Sequence, residues 1–148
     1  MNPNLEQRRR WMGVLAKAST ADLEKTWEEL ETRPEYTFLR PPETGLVMVR
    51  ALAGGVGSPF HVGEVPVTRC TVETEEGMTG SAYVMGRAHR HAELAAVFDA
   101  ILQGAGIAPG MVDRVIEPLC RKGRARAEVE RRKTARTRVE FFTMVRGE

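Results

Sequence analysis

The feature that most constrains this chain is the position of its strand-like segments, which form one block between helix-like segments. Segments rich in β-branched and apolar residues, bounded by proline- or glycine-rich turns, predict four strands here: Tyr36–Arg40, Gly45–Leu52, Val65–Thr74 and Met78–Met85. The short Glu75–Gly77 spacer predicts an antiparallel hairpin between the last two. Strands that follow one another without intervening helices favour an α+β domain over a parallel α/β sheet.

Helical periodicity frames this block on both sides. The first two helices are predicted over Leu5–Lys17 and Ala21–Thr32, the second after a Ser19–Asp22 capping box and before Pro34. Later helices are predicted over Ala88–Leu102, Met111–Ile116 and, after a break at Pro118, Leu119–Thr137. From Arg138 the apolar residues alternate, which predicts a final strand. The expected fold therefore has N-terminal helices, a mainly antiparallel sheet of about four to five strands, C-terminal helices and a terminal strand.

Length and composition set the broad class. A chain of 148 residues predicts one domain over residues 1–148, and 42% apolar with 28% charged residues is ordinary for a globular protein. No apolar run approaches the roughly 18–20 residues that span a bilayer. Cys70 and Cys120 lack metal-ligand spacing, and free thiols fit a reducing compartment. We therefore expect a cytoplasmic protein without membrane association, bound metal or bound cofactor.

A glycine-rich loop and two arginines are the candidate ligand-binding residues. Gly54, Gly55 and Gly57 lie between predicted strands, where their backbone N–H groups are available to a phosphate. The loop lacks the Lys-Ser/Thr of a P-loop and does not match GxGxxG, so a flexible turn is the competing interpretation. Arg69, within a strand, and Arg87, before a helix, supply positive charge. Together these five residues predict a phosphate-ligand-binding module without catalysis of its own.

The histidines and cysteines do not form a catalytic or metal pattern. His89 and His91 open a helix, but residues two apart point in different directions and no acidic or cysteine cluster completes a ligand set. His61 can lie next to His89 and His91 only if the fold brings the glycine loop to the start of this helix. Neither cysteine has a paired base in the sequence, and no Ser-His-Asp order or paired-carboxylate motif is present. The sequence predicts no catalytic residue.

Positive charge is concentrated at the C-terminus. Residues 119–148 contain ten lysines and arginines against four glutamates. A nucleic acid would release counterions on binding such a segment, but aromatic residues for base stacking are not interleaved with the charges. A solvated helix face, or docking to an acidic partner, is the favoured interpretation. Nucleic-acid binding is kept as the last of three hypotheses.

The order and spacing of several short motifs resemble a known family, the G subunit of the bacterial carbon–phosphorus lyase system, PhnG. The resemblance covers essentially the whole chain. Its motifs are Arg10–Met12, Val14–Ala16, Glu43–Val47, Gly54–Gly57, Pro59–Phe60, Gly63–Glu64, Val67–Cys70, Tyr83–Arg87, His91–Leu94 and Arg138–Gly147. Ala88 stands where the family often has aspartate, which removes a side-chain cap and shifts the predicted helix start, and His61 replaces a small polar amide.

This resemblance implies an accessory subunit of a complex that holds two copies each of subunits G, H, I and J. In that family, G acts with H, I and the ATPase-like L protein to displace adenine from ATP with methylphosphonate. The product is ribose 1-methylphosphonate 5-triphosphate, the I subunit carries the nucleosidase chemistry, and J performs a later radical cleavage. ATP is then a substrate of the complex rather than a cofactor of this chain. The isolated chain is expected to be inactive and to pair with itself, because partner surface stays exposed.

Overall fold

The computed structural model describes residues 5–52, 57, 59–104 and 110–146. Within these residues, four helices and three strands follow one another in the order ααβββαα. Their bounds are Leu5–Lys17 (α1), Thr20–Glu29 (α2), Tyr36–Leu52 (β1), Pro59–Thr74 (β2), Thr79–Met85 (β3), His89–Gln103 (α3) and Met111–Arg146 (α4). The α+β class is confirmed, with fewer strands than the four to five predicted.

The strands form one antiparallel sheet in the order β1-β2-β3, so β1 and β3 are its edges. The two predicted strands Tyr36–Arg40 and Gly45–Leu52 are one strand, because β1 continues through the Pro41–Pro42 pair. The register shifts on both sides of Arg40, and an edge strand tolerates proline because its outer N–H groups need no partner. The predicted hairpin between β2 and β3 at Glu75–Gly77 is confirmed.

One face of the sheet is buried and the other is open. On β2, alternate residues Thr68, Cys70, Val72 and Thr74 are buried, and the residues between them lie on the opposite face. The helix α3 covers the buried face and is itself central, since ten of its 15 residues are buried. The sequence left open which face of this strand meets the core, and packing against α3 decides it.

The N-terminal helices complete the core on the other side of α3. The bounds predicted for α1 are confirmed, and its Trp11 and Leu15 are buried. The predicted cap of α2 is also confirmed, because the Asp22 N–H donates to Ser19 Oγ at 3.1 Å. The helix ends at Glu29, earlier than predicted, and Leu23 is its fully buried residue. These apolar faces are therefore used within the chain.

The C-terminal prediction is wrong in two respects. The predicted helices on either side of Pro118 form one helix, α4, which contains the proline. Val115, Ile116 and Leu119 are buried around it, and this burial offsets the roughly 3 kcal/mol that an interior proline costs. Residues 138–146 continue this helix instead of forming a strand. In the described part of the chain, no further strand lies beside either edge of the sheet. A segment without a neighbouring strand can satisfy its backbone hydrogen bonds as a helix.

Candidate functional site

Hydroxyl groups from two strands hold the start of α3. The buried Thr68 hydroxyl donates to the carbonyl oxygen of Gly86 at 2.7 Å and accepts from the Ala88 N–H at 3.1 Å. The single proton of the Thr68 hydroxyl is already donated to Gly86. Thr44 Oγ1 therefore donates to Thr68 Oγ1 at 2.9 Å and accepts from His89 Nε2 at 3.2 Å. Ala88 makes no side-chain cap, and the helix begins one residue later than predicted. A threonine from another element thus satisfies the N–H of the residue that precedes the helix.

Arg69 lies on the open face of the sheet and is paired. Its Nε donates to Glu43 Oε1 at 2.6 Å, and Arg40 Nη1 reaches the same oxygen at 3.4 Å. The hydrogen bond with Glu43 raises the pKa of Arg69, and contact with Tyr83 acts in the same direction. Because a carboxylate already occupies this cation, a phosphate would have to displace Glu43 to bind it.

The glycine loop and the candidate arginines lie at different places. Gly57 is exposed beyond the last pair of β1 and β2, and Gly54 and Gly55 lie outside the described residues. Arg69 is ten positions along β2 from Pro59, about 33 Å at the usual strand rise. Arg87 is exposed and follows Gly86, whose N–H donates to the carbonyl oxygen of Pro66 at 2.8 Å. That level of β2 is about 23 Å from Pro59. One phosphate therefore cannot contact Gly57 together with either arginine.

The two histidines of α3 point in different directions, as predicted. His91 is buried, and its Nε2 donates to the carbonyl oxygen of Leu15 at 2.9 Å, which ties α3 to α1. His89 is exposed and contacts Thr44. His61 pairs with Arg50 near the end of the β1–β2 ribbon, far from this helix start. Across the described ranges no three His, Cys, Asp or Glu side chains converge.

Asp99 is a buried carboxylate that sequence analysis did not identify. Its oxygens accept from Arg8 Nε and Nη2 at 3.2 and 2.9 Å and from Trp11 Nε1 at 2.8 Å. The backbone N–H of Ser81 donates to the same carboxylate at 3.0 Å. Four hydrogen bonds thus connect α1, β3 and α3 through one fully buried side chain. The available signal was a lone aspartate inside the apolar Ala95–Leu102 segment.

A second polar cluster joins β1, α2 and the first turns of α3. Tyr36 Oη donates to Glu93 Oε2 at 2.6 Å, while Arg90 forms ion pairs with Glu93 and Glu24. Burial raises the pKa of Tyr36 to about 12, and the hydrogen bond to Glu93 adds to the effect. The phenol is therefore protonated at neutral pH and serves as a donor. Both carboxylates are shared with Arg90, so its charge is engaged in holding elements together.

The buried thiol has no activating environment. Burial raises the pKa of the Cys70 thiol to about 11, and the negative charge of Glu93 acts in the same direction. A thiol that stays protonated at neutral pH is a poor nucleophile. Cys120, on α4, is also a free cysteine and is partly buried. Cys70 therefore acts as a small apolar residue of the core.

The basic segment is the outer part of α4. Lys122 and Arg126 both form ion pairs with Asp22 of α2, at 3.5 and 2.9 Å. Farther along, Glu128 pairs within the helix, and residues 129–135 are all exposed. Because these two turns of helix are exposed on every side, this part of α4 extends beyond the protein body. Among the described helices, α4 included, none is both long and apolar enough to cross a bilayer.

The fold and these contacts define an α+β protein in which the buried ionisable groups hold the elements together. The family model described as "Phosphonate metabolism protein PhnG" matches residues 6–147. The chain is also 43% identical over 146 residues to alpha-D-ribose 1-methylphosphonate 5-triphosphate synthase subunit PhnG of Rhizobium meliloti (strain 1021). That alignment covers 96% of this chain and 90% of the relative. The chain belongs to the PhnG family, which confirms the resemblance.

Proposed function

We propose that this chain is the G subunit of a ribose 1-methylphosphonate 5-triphosphate synthase within a carbon–phosphorus lyase complex. The observation that carries this proposal is the nearly full-length relationship to a synthase subunit. The proposed reaction joins methylphosphonate to the ribose of ATP with loss of adenine. ATP is a substrate of the complex, and this chain binds no cofactor of its own.

We further propose that the chain contributes surface rather than reacting groups. The contacts of Asp99, His91 and Tyr36 support this, because each uses its polar atoms to connect two or more structural elements. Thr68 does the same at the start of α3. A group committed to such contacts is not available to bind substrate or move a proton unless the fold opens. Catalysis is then assigned to other subunits.

The proposed partners are subunits H, I and J, with L as an associated ATPase-like protein, all in the cytoplasm. Free cysteines fit that compartment. The outer part of α4 supports docking to an acidic partner surface, since Arg131 and Arg132 are each about three-quarters exposed. The apolar faces of the N-terminal helices contribute little docking surface, because Trp11, Leu15 and Leu23 are buried in the core.

The experiment is reconstitution of the synthase from purified cognate subunits. Subunits H, I and L are mixed with ATP and methylphosphonate, with or without this chain, and formation of ribose 1-methylphosphonate 5-triphosphate is measured by phosphorus NMR. We expect this product to require the chain, and the chain alone to form none. Product formed by the chain alone, or in full amount without it, would overturn the proposal. Calorimetry of the lone chain with millimolar ATP, where we expect no heat, tests the alternative of a phosphate-ligand-binding module.

A further inference from the structure

Part of the β1–β2 ribbon extends beyond the rest of the protein body. The helix layer reaches β1 at Thr44, through His89, and β3 ends at Met85, opposite Val67. In the described residues beyond that level, 46–52 and 59–66 pair along the strands only with each other, and the carbonyl oxygen of Pro66 also accepts from the Gly86 N–H. We call these two segments the arm. Eight strand residues give it a length of about 26 Å.

Both faces of the arm expose large apolar side chains. Val47 is 42% exposed and lies opposite Val65, while the adjacent Leu46 is 61% exposed and points to the other face. Met48, Phe60 and Val62 are also about half exposed or more. A two-stranded ribbon has no second layer to cover such residues and is marginally stable alone in water. This surface is typical of a protein interface.

The Val47 face of the arm continues across the open face of the sheet. Tyr83 and Met85 of β3 are 60% and 73% exposed on that face. A groove of about 350 Å³ lies beside Tyr83. Its apolar side is lined by Leu46, Val47 and Val67, and its polar side by Thr44 and the Glu43–Arg69 ion pair. A second groove of about 210 Å³ begins on the other side of Tyr83 and is lined by Met12, Gly13, Ala16 and Ala82 among others. We call the arm, Tyr83, Met85 and these two grooves the apolar strip.

The strip is nearly neutral. Arg50 and Glu64 are its charged arm residues, with opposite signs, and Glu43 and Arg69 at the groove pair with each other. Nucleic acid is bound mainly through excess positive charge, which on this chain lies along α4 instead. An occupant of matching chemistry is an apolar protein surface of low charge.

The edge of β1 disfavours a second copy as the occupant. Three register irregularities interrupt this edge strand, two of them beside the Pro41–Pro42 pair and one between Val49 and Arg50. Bulges and prolines on an edge strand block the extension of a sheet by another strand. Pairing of two copies along the edge of β1 is therefore disfavoured, and the relative's description as a synthase subunit indicates a different chain.

We propose that the apolar strip docks a low-charge apolar surface of another subunit of the synthase, with Tyr83 and Val47 near its centre. The inference rests on the proposed function. Aromatic and apolar residues flanked by grooves carry most of the binding energy in interfaces of this kind.

The experiment is co-expression of the full chain with cognate subunits H, I and J, followed by quantitative affinity purification. Val47→Glu and Met85→Glu, singly and together, are compared with Leu39→Glu. Leu39 is a matched control, because it is an equally apolar residue of β1, 56% exposed and outside the arm. We expect the double variant to lose about tenfold or more in apparent affinity, because an apolar interface leaves the new charges unpaired. The control is expected to assemble like wild type.

Further measurements separate the possible failures. Unfolding curves and circular dichroism show whether each variant folds, and Tyr83→Ala, which adds no charge, is expected to weaken assembly as well. Wild type that fails to assemble would overturn the proposed function and this inference with it. Variants that assemble like wild type would overturn only the inference. Loss of self-association, or loss of binding to phosphatidylcholine vesicles, with assembly unchanged, would also overturn it and assign the strip to a second copy or to a lipid surface.

Discussion

At the scale of single residues, the tightest steric constraint among the described glycines is at Gly80, where β3 meets α3. A Cβ atom there would lie 2.0 Å from the carbonyl oxygen of Ala96 and 2.5 Å from the amide nitrogen of Ala100. Both are backbone atoms, so no side-chain rotation relieves the overlap. Glycine on the strand and alanines on the helix let the two backbones approach closely.

We expect Gly80→Ala to lower the free energy of unfolding by about 3 kcal/mol, because β3 must move away from α3. The measurement is urea unfolding followed by circular dichroism. Gly45→Ala is the matched control in the same sheet, since a Cβ there meets no atom beyond its chain neighbours within 4 Å. We expect that change to stay within about 0.5 kcal/mol. Equal stability of the two variants would contradict this packing.

The residue roles that the sequence predicted are those whose interaction partners lie nearby in the chain. The Ser19 cap was predicted because its partner, Asp22, is three residues away. The roles of Thr68 and Asp99 were not predicted, since their partners lie about 20 to 90 residues away along the chain. Of the candidate ligand residues, Arg69 was recognised as a cation, but its pairing with Glu43 depends on the β1–β2 register.

At the scale of elements, two ion pairs connect α4 to α2 near the point where α4 extends beyond the body. Asp22 on α2 accepts from Arg126, and this hydrogen bond holds the pKa of Asp22 below its ordinary value of 3.8. The Ser19 hydroxyl and the charge of Lys122 act in the same direction. A carboxyl whose pKa is lowered by folding stabilises the protein above its unfolded pKa, and that contribution disappears as the pH falls through the folded pKa.

We expect Asp22→Asn to cost roughly 0.5–1 kcal/mol of unfolding free energy at pH 7, because two ion pairs to α4 are lost. The difference from wild type should shrink as the pH drops below about 4, where Asp22 becomes protonated in both folded and unfolded chains. Urea unfolding between pH 7 and 2.5 measures it. Glu128→Gln, whose partners Arg131 and Arg132 lie on the same helix, is the control. A pH-independent difference for Asp22→Asn would contradict the assignment.

The periodicity of the sequence predicted the types of most elements, but it did not predict which neighbouring segments form one continuous element. The sequence correctly predicted the bounds of α1, the start of β1 and the β2–β3 hairpin. Pro41–Pro42 and Pro118 were read as breaks, yet β1 and α4 run through them. A proline's cost is local, whereas the burial or edge position that offsets it depends on neighbours from distant parts of the chain.

At the scale of the whole molecule, a packed body carries two extensions. The body is built around α3 and its contacts with β2, β3 and α1. The arm and residues 129–135 of α4 are exposed on most or all sides. Because local stability follows buried apolar contacts, these extensions belong to the least protected parts of the described chain.

We expect hydrogen exchange of the isolated chain to be slowest in α3 and the central part of β2. Amides of the arm and of residues 129–135 should exchange at least about tenfold faster. Mass spectrometry of peptic fragments measures both. Addition of the cognate subunits should slow exchange in the arm without changing that of α3. Arm amides as protected as those of α3 in the isolated chain would contradict this division.

The sequence by itself determined the α+β class, the types of most elements and the family, because hydrophobic period, turn residues and ordered motifs are properties of short stretches. The tertiary structure alone decided that the final segment is helical, that Gly57 lies far from Arg69, and that the described residues leave the ribbon between them uncovered. These outcomes depend on which neighbours are available to pair with or cover a segment. Residues 138–146 have no described strand beside them and satisfy their backbone as a helix, and an arm without a covering layer stays open to another protein.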